Sequence, residues 1–387
     1  MTAFTALLPA AALLATAALS TAPAGEAAAE APLAPYVVVL KDSTRAPAAA
    51  RALAAEATQS GDEVRAVYDT ALNGFALRTT ASRAAALAAD PRVASVEPDA
   101  LFHVDDTQPQ APWSLDRIDQ RDLPLDASYT YGTKAAGVTA YVLDTGINTA
   151  HQEFGGRARL GHNAVRSETA TDCSGHGSHV AGIIGGATHG VAKGVSLVAV
   201  KVADCRGDGR LSDMLRGLDW TVRDAVRGKT PAVANMSMGG ARSYALDAAI
   251  VRAVASGVTF TVAAGNSAED ACGRSPSRVP QALTVGATDS GDRGAAFSGH
   301  GRCVDLFAPG VSVVSAWKGS TTVLARATGT SMAAPHVAGV AALLLAAGTA
   351  KTPEQVTSAL LRDAGRDRIT GLPAGTANLL LHTPIDH

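Results

Sequence analysis

The chain has 387 residues, a formal net charge of −2, and only 18% charged residues. This balance argues against a nucleic-acid-binding protein, which usually carries a basic patch. Hydrophobic residues make up 47% of the chain, which is enough for a large core, and the length allows two or three domains.

The N-terminal segment, residues 1–24, carries no charged side chain, and its apolar stretch at residues 7–19 has the length of a signal-peptide core. The stretch is too short to span a bilayer, and small residues at 22–24 suit a cleavage site. No Lys or Arg precedes it, so an Ala-rich tail is the alternative. We expect an exported protein.

An exported chain with an even number of cysteines is expected to form disulfides, and four cysteines allow three pairings. No Cys-x-x-Cys pair occurs, which argues against a structural zinc site. The cysteines are Cys173, Cys205, Cys272 and Cys303.

Residues 25–105 begin with an Ala/Glu-rich spacer and continue with a small β-α-β-β-α-β pattern. Its recognisable strands and helices alternate at residues 36–40, 48–58, 74–77, 82–89 and 93–97. A polar stretch at residues 105–112 follows, and we expect it to be an exposed, cleavable linker.

From residue 113 onward, short apolar strands alternate with helical stretches. This alternation predicts a parallel sheet with helices on both faces, whose sites form at the carboxyl ends of the strands. Asp144 ends one predicted strand and Asn266 lies just past another. The strands are expected at residues 138–143, 195–202, 232–236, 259–263 and 282–285, and the helices at 179–185, 211–226, 244–256 and 332–347.

Three Gly-rich segments carry Asp144, His176 and Ser331 in this order. A serine becomes a nucleophile when a histidine takes its proton, and an aspartate can hold that histidine in one tautomer. Taken singly, Ser331 could be a helix N-cap and Asp144 a turn residue. Together they predict a serine hydrolase.

An aspartic peptidase and a metal site would each need further residues that this sequence does not supply. An aspartic peptidase needs a second Asp-Thr/Ser-Gly at a strand end, and Asp289-Ser-Gly has no apolar strand directly before it. The spacing of His176 and His179 suggests a metal, but no acidic or Cys partner completes a set, so we expect His179 to be a buried second histidine. Asn266 could donate to an oxyanion, or be only a turn residue.

The segments around Asp144, His176, Asn266 and Ser331 together resemble those of the subtilisin-like serine peptidases, whose triad follows the chain order Asp, His, Ser. Within the family, the proteinase K and aqualysin-type branch is most similar. The resemblance implies an α/β, subtilisin-like three-layer fold with a mostly parallel central sheet. Residues 36–104 resemble the inhibitor I9-like propeptide, a small α+β ferredoxin-like domain. The implied domains are a signal peptide at 1–24, the propeptide at 25–105 and the peptidase at 106–387.

The resemblance further implies a secreted serine endopeptidase, made as a self-processed zymogen, with Asp144, His176 and Ser331 as triad and Asn266 as oxyanion donor. Substrate would add as an extended strand between two edges. Small residues in the pocket walls imply room for a large apolar side chain of the residue before the cut. Asp208 suggests a preference for basic residues in the neighbouring part of the substrate. One implied edge is Ser237, Met238 and Gly239, and the other is Gly207, Asp208 and Gly209. The implied pocket residues are Ala263, Ala264 and Gly265.

The resemblance also implies the disulfides Cys173–Cys205 and Cys272–Cys303, and two structural calcium sites, for each of which a polar surface loop is the alternative. Calcium prefers several oxygen ligands. The first site would use Asp116, Asp119, Gln120, Asp126 and Ser128. The second would use the carbonyls of Pro280 and Ala282 with the Asp305 carboxylate.

The implied partners are peptide substrates and the chain's own propeptide, with no nucleic acid, no membrane for the mature form, and a monomeric state. Two other functions share these motifs. A catalytically silent homologue would bind peptides without cleaving them, and an ester hydrolase would use the same triad on another acyl group.

Overall fold

The computed structural model describes residues 32–41, 47–100 and 106–383, so the predicted signal peptide lies outside the described residues. The chain divides into two compact units, residues 1–102 and 103–387. Within the described ranges, none of the helices combines the length and apolar character needed to cross a bilayer.

The first unit is a four-stranded antiparallel sheet, with two helices that share one apolar core with it. Across the sheet the strands follow the order Glu63–Tyr68 (β2), Gly74–Thr79 (β3), Ala34–Leu40 (β1) and Val93–Pro98 (β4). Phe75 and Leu53 are among the most deeply buried side chains of that core. This confirms the predicted β-α-β-β-α-β order. Its elements are β1 (Ala34–Leu40), α1 (Pro47–Gln59), β2 (Glu63–Tyr68), β3 (Gly74–Thr79), α2 (Ala81–Ala88) and β4 (Val93–Pro98).

The strand β2 was absent from the segments that the sequence marks as apolar. It lies at the sheet edge, and four of its six residues are exposed. An edge strand that buries little side-chain surface carries a weak hydrophobic alternation, which explains why the pattern missed it.

The second unit contains a nine-stranded sheet flanked by helices. Its first elements are β5 (Asp106–Pro109), α3 (Trp113–Asp119), β6 (Ser128–Tyr131), β7 (Thr139–Asp144), β8 (Ala158–Asn163), α4 (His176–Gly185), β9 (Ser196–Lys201), α5 (Leu211–Gly228), β10 (Ala232–Met236) and α6 (Tyr244–Ala255). The remaining elements are β11 (Val258–Ala263), β12 (Leu283–Thr288), β13 (Leu306–Pro309), β14 (Val313–Ala316), β15 (Leu324–Ala327), α7 (Thr330–Ala346), α8 (Pro353–Asp363), β16 (Gly365–Arg366) and β17 (Leu379–Leu380).

The large sheet has the order β16-β17-β13-β12-β11-β10-β7-β9-β8 and is parallel except for the β16–β17 pair. Alternate residues of β7 enter two different cores: Ala140 and Val142 pack with α4 and α7, whereas Tyr141 and Leu143 pack with α5 and α6. Because successive strand residues point to opposite faces, the helices cover both faces of the sheet. The predicted three-layer fold is therefore confirmed.

The central helix α7 explains how Ser331 is held. All but one of its seventeen residues are buried, so the helix is apolar all round and lies inside the core. Ser331 occupies its first turn and is 9% exposed.

Several elements of the second unit were not predicted from the sequence, namely α3, β6, β8, β13, β14, β15, α8, β16 and β17. Residues 106–109 are exposed for the most part and form the strand β5, which pairs with β6, within the stretch 105–112 that we expected to be an exposed, cleavable linker. The helix α8 was missed although Thr352 caps it and Pro353 stands at its first position, which is a standard helix-start signal.

The cysteines form the bridges Cys173–Cys205 and Cys272–Cys303, the pairing that the family resemblance implies. Of the three pairings that the cysteine count allows, sequence spacing alone could not choose one. Each bridge closes a loop of about thirty residues beside the cleft described below.

Candidate active site

Asp144 is the last residue of β7 and is completely buried. One carboxylate oxygen, Oδ1, accepts from the backbone N–H of Thr145 and lies 2.7 Å from Nδ1 of His176. The other oxygen, Oδ2, is buried without a hydrogen-bond partner in the described part of the chain. The sheet therefore delivers a buried carboxylate to one ring nitrogen of His176.

His176 opens α4, and its two flanking glycines are required by close contacts. A Cβ on Gly175, whose φ is +100°, would lie 2.4 Å from the Trp317 ring. A Cβ on Gly177 would lie 2.1 Å from the carbonyl oxygen of Gly146. Side chains at either position would push the histidine away from Asp144.

The environment of His176 has opposing effects on its pKa. Burial disfavours the charged ring, but the Asp144 carboxylate attracts it and accepts its hydrogen bond, and Asp172 adds a smaller attraction. The net result is a pKa raised above the usual value for histidine. The site therefore favours a histidine that accepts a proton and then stays charged.

Asp172 fixes the start of α4 and was not among the residues predicted from the sequence. Its carboxylate accepts from the backbone N–H groups of Ser174, Gly175 and Ser178, and from the hydroxyls of Ser178 and Thr145. All five distances lie between 2.6 and 2.9 Å, and the residue is 6% exposed. An acidic residue just before a Gly-rich helix start was the available signal.

Lys201 holds the turn that follows Asp144. It ends β9 directly opposite Asp144, is fully buried, and its Nζ donates to the carbonyl of Thr145 at 2.8 Å. Its charge is balanced by the Glu168 carboxylate at 3.1 Å. A lysine at the end of an apolar strand is visible in the sequence, but the groups that it contacts are determined only by the fold.

Ser331 and Ser237 bond to each other across the base of the cleft. The Ser331 hydroxyl donates to the carbonyl of Ser237 at 3.0 Å, and the Ser237 hydroxyl donates to the carbonyl of Ser331 at 2.9 Å. Asn235, at the end of β10, donates its amide to the Ser237 hydroxyl. The nucleophile candidate is thus tied to the loop that follows β10.

Asn266 is oriented by Thr330, the residue before Ser331. Its Oδ1 accepts from both the backbone N–H and the hydroxyl of Thr330, at 2.9 and 2.8 Å. The Thr330 hydroxyl in turn accepts from the N–H of Gly265. With its oxygen used in this way, Asn266 presents its NH₂ group as the free donor.

A cavity of about 220 Å³ brings most of the predicted substrate residues together. It contains Ser331 and Asn266, and its walls include four positions that the sequence did not single out: Ser267, Arg274, Ser277 and Thr330. The full lining is Ser237, Met238, Gly239, Ala263, Ala264, Gly265, Asn266, Ser267, Arg274, Ser277, Thr330 and Ser331.

The other predicted edge, Gly207, Asp208 and Gly209, does not line this cavity. A Cβ on Gly209 would nevertheless lie 3.6 Å from Cε of Met238, so the two edges approach each other. The Asp208 side chain is 77% exposed and lies 3.6 Å from the Arg206 guanidinium.

The surroundings of His179 are those of a buried, hydrogen-bonded histidine. Its Nε2 lies within 3.2 Å of the carbonyl oxygens of Val313 and Ala325, which fits a ring that donates from this nitrogen. Burial lowers its pKa to about 4. Within the described ranges, the one group of three His, Cys, Asp or Glu side chains whose ligand atoms lie close together is Glu168, Cys173 and Cys205, and its cysteines are joined in a disulfide.

The residues predicted for the first calcium site lie around the end of α3 and the loop before β6. Asp119 Oδ1 and Gln120 Oε1 are buried without hydrogen-bond partners among the described residues. Asp116 accepts from the N–H groups of Asp126 and Ala127, and Asp126 from Ser128. Burial, with smaller contributions from neighbouring carboxylates, raises the pKa of Asp119 to about 7.

At the second predicted calcium site, Asp305 accepts from the N–H of Thr284 at 2.7 Å. Burial raises the pKa of this carboxyl to about 6. Pro280 is exposed and Ala282 is buried, and both lie in the segment that leads into β12.

Comparison with known proteins shows the family. Residues 135–379 match the family described as Subtilase family, and residues 35–105 match Peptidase inhibitor I9. An extracellular serine proteinase from Thermus sp. (strain Rt41A) is 52% identical over 325 residues, which are 84% of this chain and 78% of that protein. Alkaline serine exoprotease A from Vibrio alginolyticus is 46% identical over 333 residues, which are 84% of this chain and 61% of that protein.

A solved structure is also similar. The crystal structure of a cold adapted subtilisin-like serine proteinase superposes with a TM-score of 0.68 and 49% identity, covering 72% of this chain and all of that one. The fold, the family matches and the level of identity agree with one another. The chain therefore belongs to the subtilase family of serine proteinases and carries an inhibitor I9 domain ahead of its peptidase domain.

Proposed function

We propose that this chain is the precursor of a secreted, calcium-stabilised endopeptidase that cleaves peptide bonds through Asp144, His176 and Ser331. The observation that carries the proposal is the 2.7 Å contact between the buried Asp144 carboxylate and Nδ1 of His176. This contact leaves Nε2 of the ring as the nitrogen that can take the Ser331 proton.

In the proposed reaction, the Ser331 hydroxyl turns from the Ser237 carbonyl toward His176 and attacks the substrate carbonyl carbon. His176 takes the hydroxyl proton and then delivers it to the leaving amine, which gives an acyl-enzyme. Water, activated by the same histidine, releases the acyl group. Asp144 stabilises the charged ring during both steps.

Asn266 is the proposed donor to the oxyanion. Because Thr330 occupies its oxygen, its NH₂ group is pre-oriented before substrate arrives. A donor that needs no reorganisation stabilises developing negative charge most effectively. In the first turn of α7, the N–H groups of Thr330 and Met332 already bond Asn266 and the Gly329 carbonyl, so the N–H of Ser331 is proposed as the further donor.

The substrate is proposed to lie as an extended strand between residues 207–209 and 237–239, with the side chain before the cut in the 220 Å³ cavity. Small walls at Ala263, Ala264 and Gly265 leave room for a large side chain. An extended peptide, rather than a compact ester, matches an open cleft with two backbone edges.

The inhibitor I9 domain is proposed to keep the precursor inactive until self-cleavage near Asp105. Support comes from the match of residues 35–105 to an inhibitor family and from a relative named an extracellular proteinase. An enzyme that hydrolyses proteins broadly endangers the cell that makes it, so activation after export is the expected order.

Calcium is proposed to bind first at Asp116, Asp119, Gln120, Asp126 and Ser128. Two orphaned buried oxygens, on Asp119 and Gln120, fit a hard cation that accepts oxygen ligands. A bound cation would hold the carboxylates ionised and tie α3 to the loop before β6. The Asp305 carboxylate with the carbonyls of Pro280 and Ala282 is proposed as a second site.

The decisive experiment compares the wild-type chain with Ser331→Ala. We expect the wild type to be secreted, lose residues up to about 105 and hydrolyse azocasein, whereas Ser331→Ala stays at precursor size and inactive. N-terminal sequencing of both locates the processing sites. An active Ser331→Ala protein would overturn the proposal, and turnover of esters without turnover of peptides would favour an ester hydrolase.

A calcium-chelation experiment tests the metal proposal separately. We expect EDTA to lower the midpoint of thermal unfolding of Ser331→Ala, and calcium to restore it. The same treatment of Ser331→Ala with Asp119→Asn should give a smaller shift. An equal shift in both proteins would argue against the first site.

A further inference from the structure

The cavity beside Ser331 contains one charged side chain. Of its twelve lining residues, all within the described range 106–383, only Arg274 carries a charge. Its side chain is 38% exposed, which leaves the guanidinium accessible to an incoming ligand. An otherwise small and neutral pocket thus has a positive group in its wall.

The counter-ion of Arg274 is weakly held. Glu269 lies 3.3 Å from Nη1, and its own side chain is 56% exposed. Exposed ion pairs of this kind contribute little, because water and salt compete with them. Arginine also carries five N–H donors, so a second carboxylate can bind while Glu269 stays or replace it.

A second guanidinium adds positive charge beside Arg274. Arg242 donates from Nε to the carbonyl of Gly273 and from Nη2 to that of Cys272, at 3.3 and 3.4 Å. Within the described ranges it forms no ion pair with a carboxylate. Its charge therefore stays uncompensated next to the pocket.

Two other carboxylates of this region have partners of their own, and neither contacts Arg274. Asp270 accepts from the N–H of Cys272 at 2.8 Å, and Asp247 lies 3.5 Å from Arg278. Neither lines the cavity. The Cys272–Cys303 bridge anchors the loop that carries Arg274, so the guanidinium is presented from a tethered segment.

We propose that Arg274 makes this pocket select a carboxylate side chain, above all glutamate, at the residue before the cleaved bond. The proposal rests on the peptidase function proposed above. The small apolar walls would contact the methylene stem, and the guanidinium would pair with the terminal carboxylate in a charge-assisted hydrogen bond. Lysine and arginine side chains would meet a like charge and be disfavoured.

The test uses four peptide substrates that differ only at the residue before the cut, which is Glu, Gln, Phe or Lys. The readout is the ratio of kcat/KM for Glu to that for Gln, because the two side chains have nearly the same size. The proteins are the processed wild type, Arg274→Gln, Glu269→Gln and Arg227→Gln. Arg227 is an exposed residue near the end of α5 and controls for net charge.

We expect Arg274→Gln to lower the Glu-to-Gln ratio about tenfold, equivalent to about 1.4 kcal/mol. Glu269→Gln should raise the ratio about two- to threefold, because the competing carboxylate is gone. Arg227→Gln should leave it unchanged, and high salt should lower it in the wild type.

The outcomes separate this inference from the proposed function. If the wild type cleaves none of the peptides, the peptidase proposal fails. If it cleaves the Phe and Gln peptides but its Glu-to-Gln ratio matches that of both Arg274→Gln and Glu269→Gln, the selectivity proposal fails alone. A ratio that changes equally in Arg227→Gln would assign the effect to net charge and also overturn it.

Discussion

The two sides of the proposed cleft are built in opposite ways. On the side of the histidine, Asp144, Asp172 and Lys201 are 0%, 6% and 0% exposed. Each of them forms at least one hydrogen bond with a backbone group of the turns around His176. On the side of the substrate pocket, the charged groups are Glu269 and Arg274, which are 56% and 38% exposed and joined by one contact.

The contrast indicates that one side holds the reacting groups in place, whereas the other side affects which substrate side chain binds. Buried charges with several hydrogen bonds hold a histidine in one orientation, because any movement would leave a buried charge without a partner. Exposed charges can change partners as a ligand arrives, so they tune which side chain binds without setting the position of the reacting groups. Substitutions on the two sides should therefore differ in size and in kind.

The largest effect should come from Asp144→Asn. An asparagine keeps the shape but favours the wrong ring tautomer of His176, and such a change typically lowers kcat by about 10⁴-fold. KM for a peptide substrate should change much less. Steady-state kinetics on the processed enzyme measure both, with the exposed Asp219→Asn as control. A loss below tenfold would contradict the proposed role.

Asp172→Ala should affect stability as well as activity. It removes the acceptor of five hydrogen bonds at the start of α4, and we expect a loss of roughly 3–5 kcal/mol in the free energy of unfolding. Denaturant unfolding of Ser331→Ala, with and without the change, measures it without self-digestion. The matched Asp219→Ala should cost under about 0.5 kcal/mol.

The buried histidine His336 should make the core of α7 sensitive to acid. Burial lowers its pKa to about 4, although it bonds the carbonyl of Met332 through Nδ1. Because the folded pKa is below the unfolded value of 6.5, the neutral ring stabilises the fold above pH 6.5. That contribution is lost as the pH falls toward 4.

In the Ser331→Ala background, His336→Leu should be less stable than its parent at pH 7, since the bond to Met332 is lost. The difference in the free energy of unfolding should shrink by roughly 3 kcal/mol between pH 6.5 and pH 4. Denaturant titrations across this range measure it. A difference that stays constant with pH would exclude His336 as the acid-sensitive group.

The smallest effect should come from Asp208→Asn on the exposed edge. The side chain is 77% exposed and already faces Arg206, so its attraction for a basic substrate residue is screened. At substrate positions other than the residue before the cut, we expect the wild type to prefer Lys or Arg by no more than about threefold, and the variant to lose that preference. A peptide library profile with no basic preference in the wild type would remove Asp208 from the specificity determinants.

Local patterns in the sequence predicted five of the nine strands of the large sheet, most of the helices and the four side chains that we propose as catalytic. The alternation of apolar strands with helices predicts the parallel sheet, and Asp144, His176, Asn266 and Ser331 lie at its ends because each follows a strand or begins a helix. The glycines beside His176 were also visible, although only the contacts with Trp317 and Gly146 explain why they are needed.

Interactions between distant segments were decided by the tertiary structure. Asp172, Lys201 and Thr330 act through partners that the fold brings to them, and Arg274 enters the pocket because the Cys272–Cys303 loop turns toward it. A sequence records which residue types are present and their local periodicity. Which buried charge meets which partner, and which loop supplies a pocket wall, depends on the packing of elements far apart in the chain.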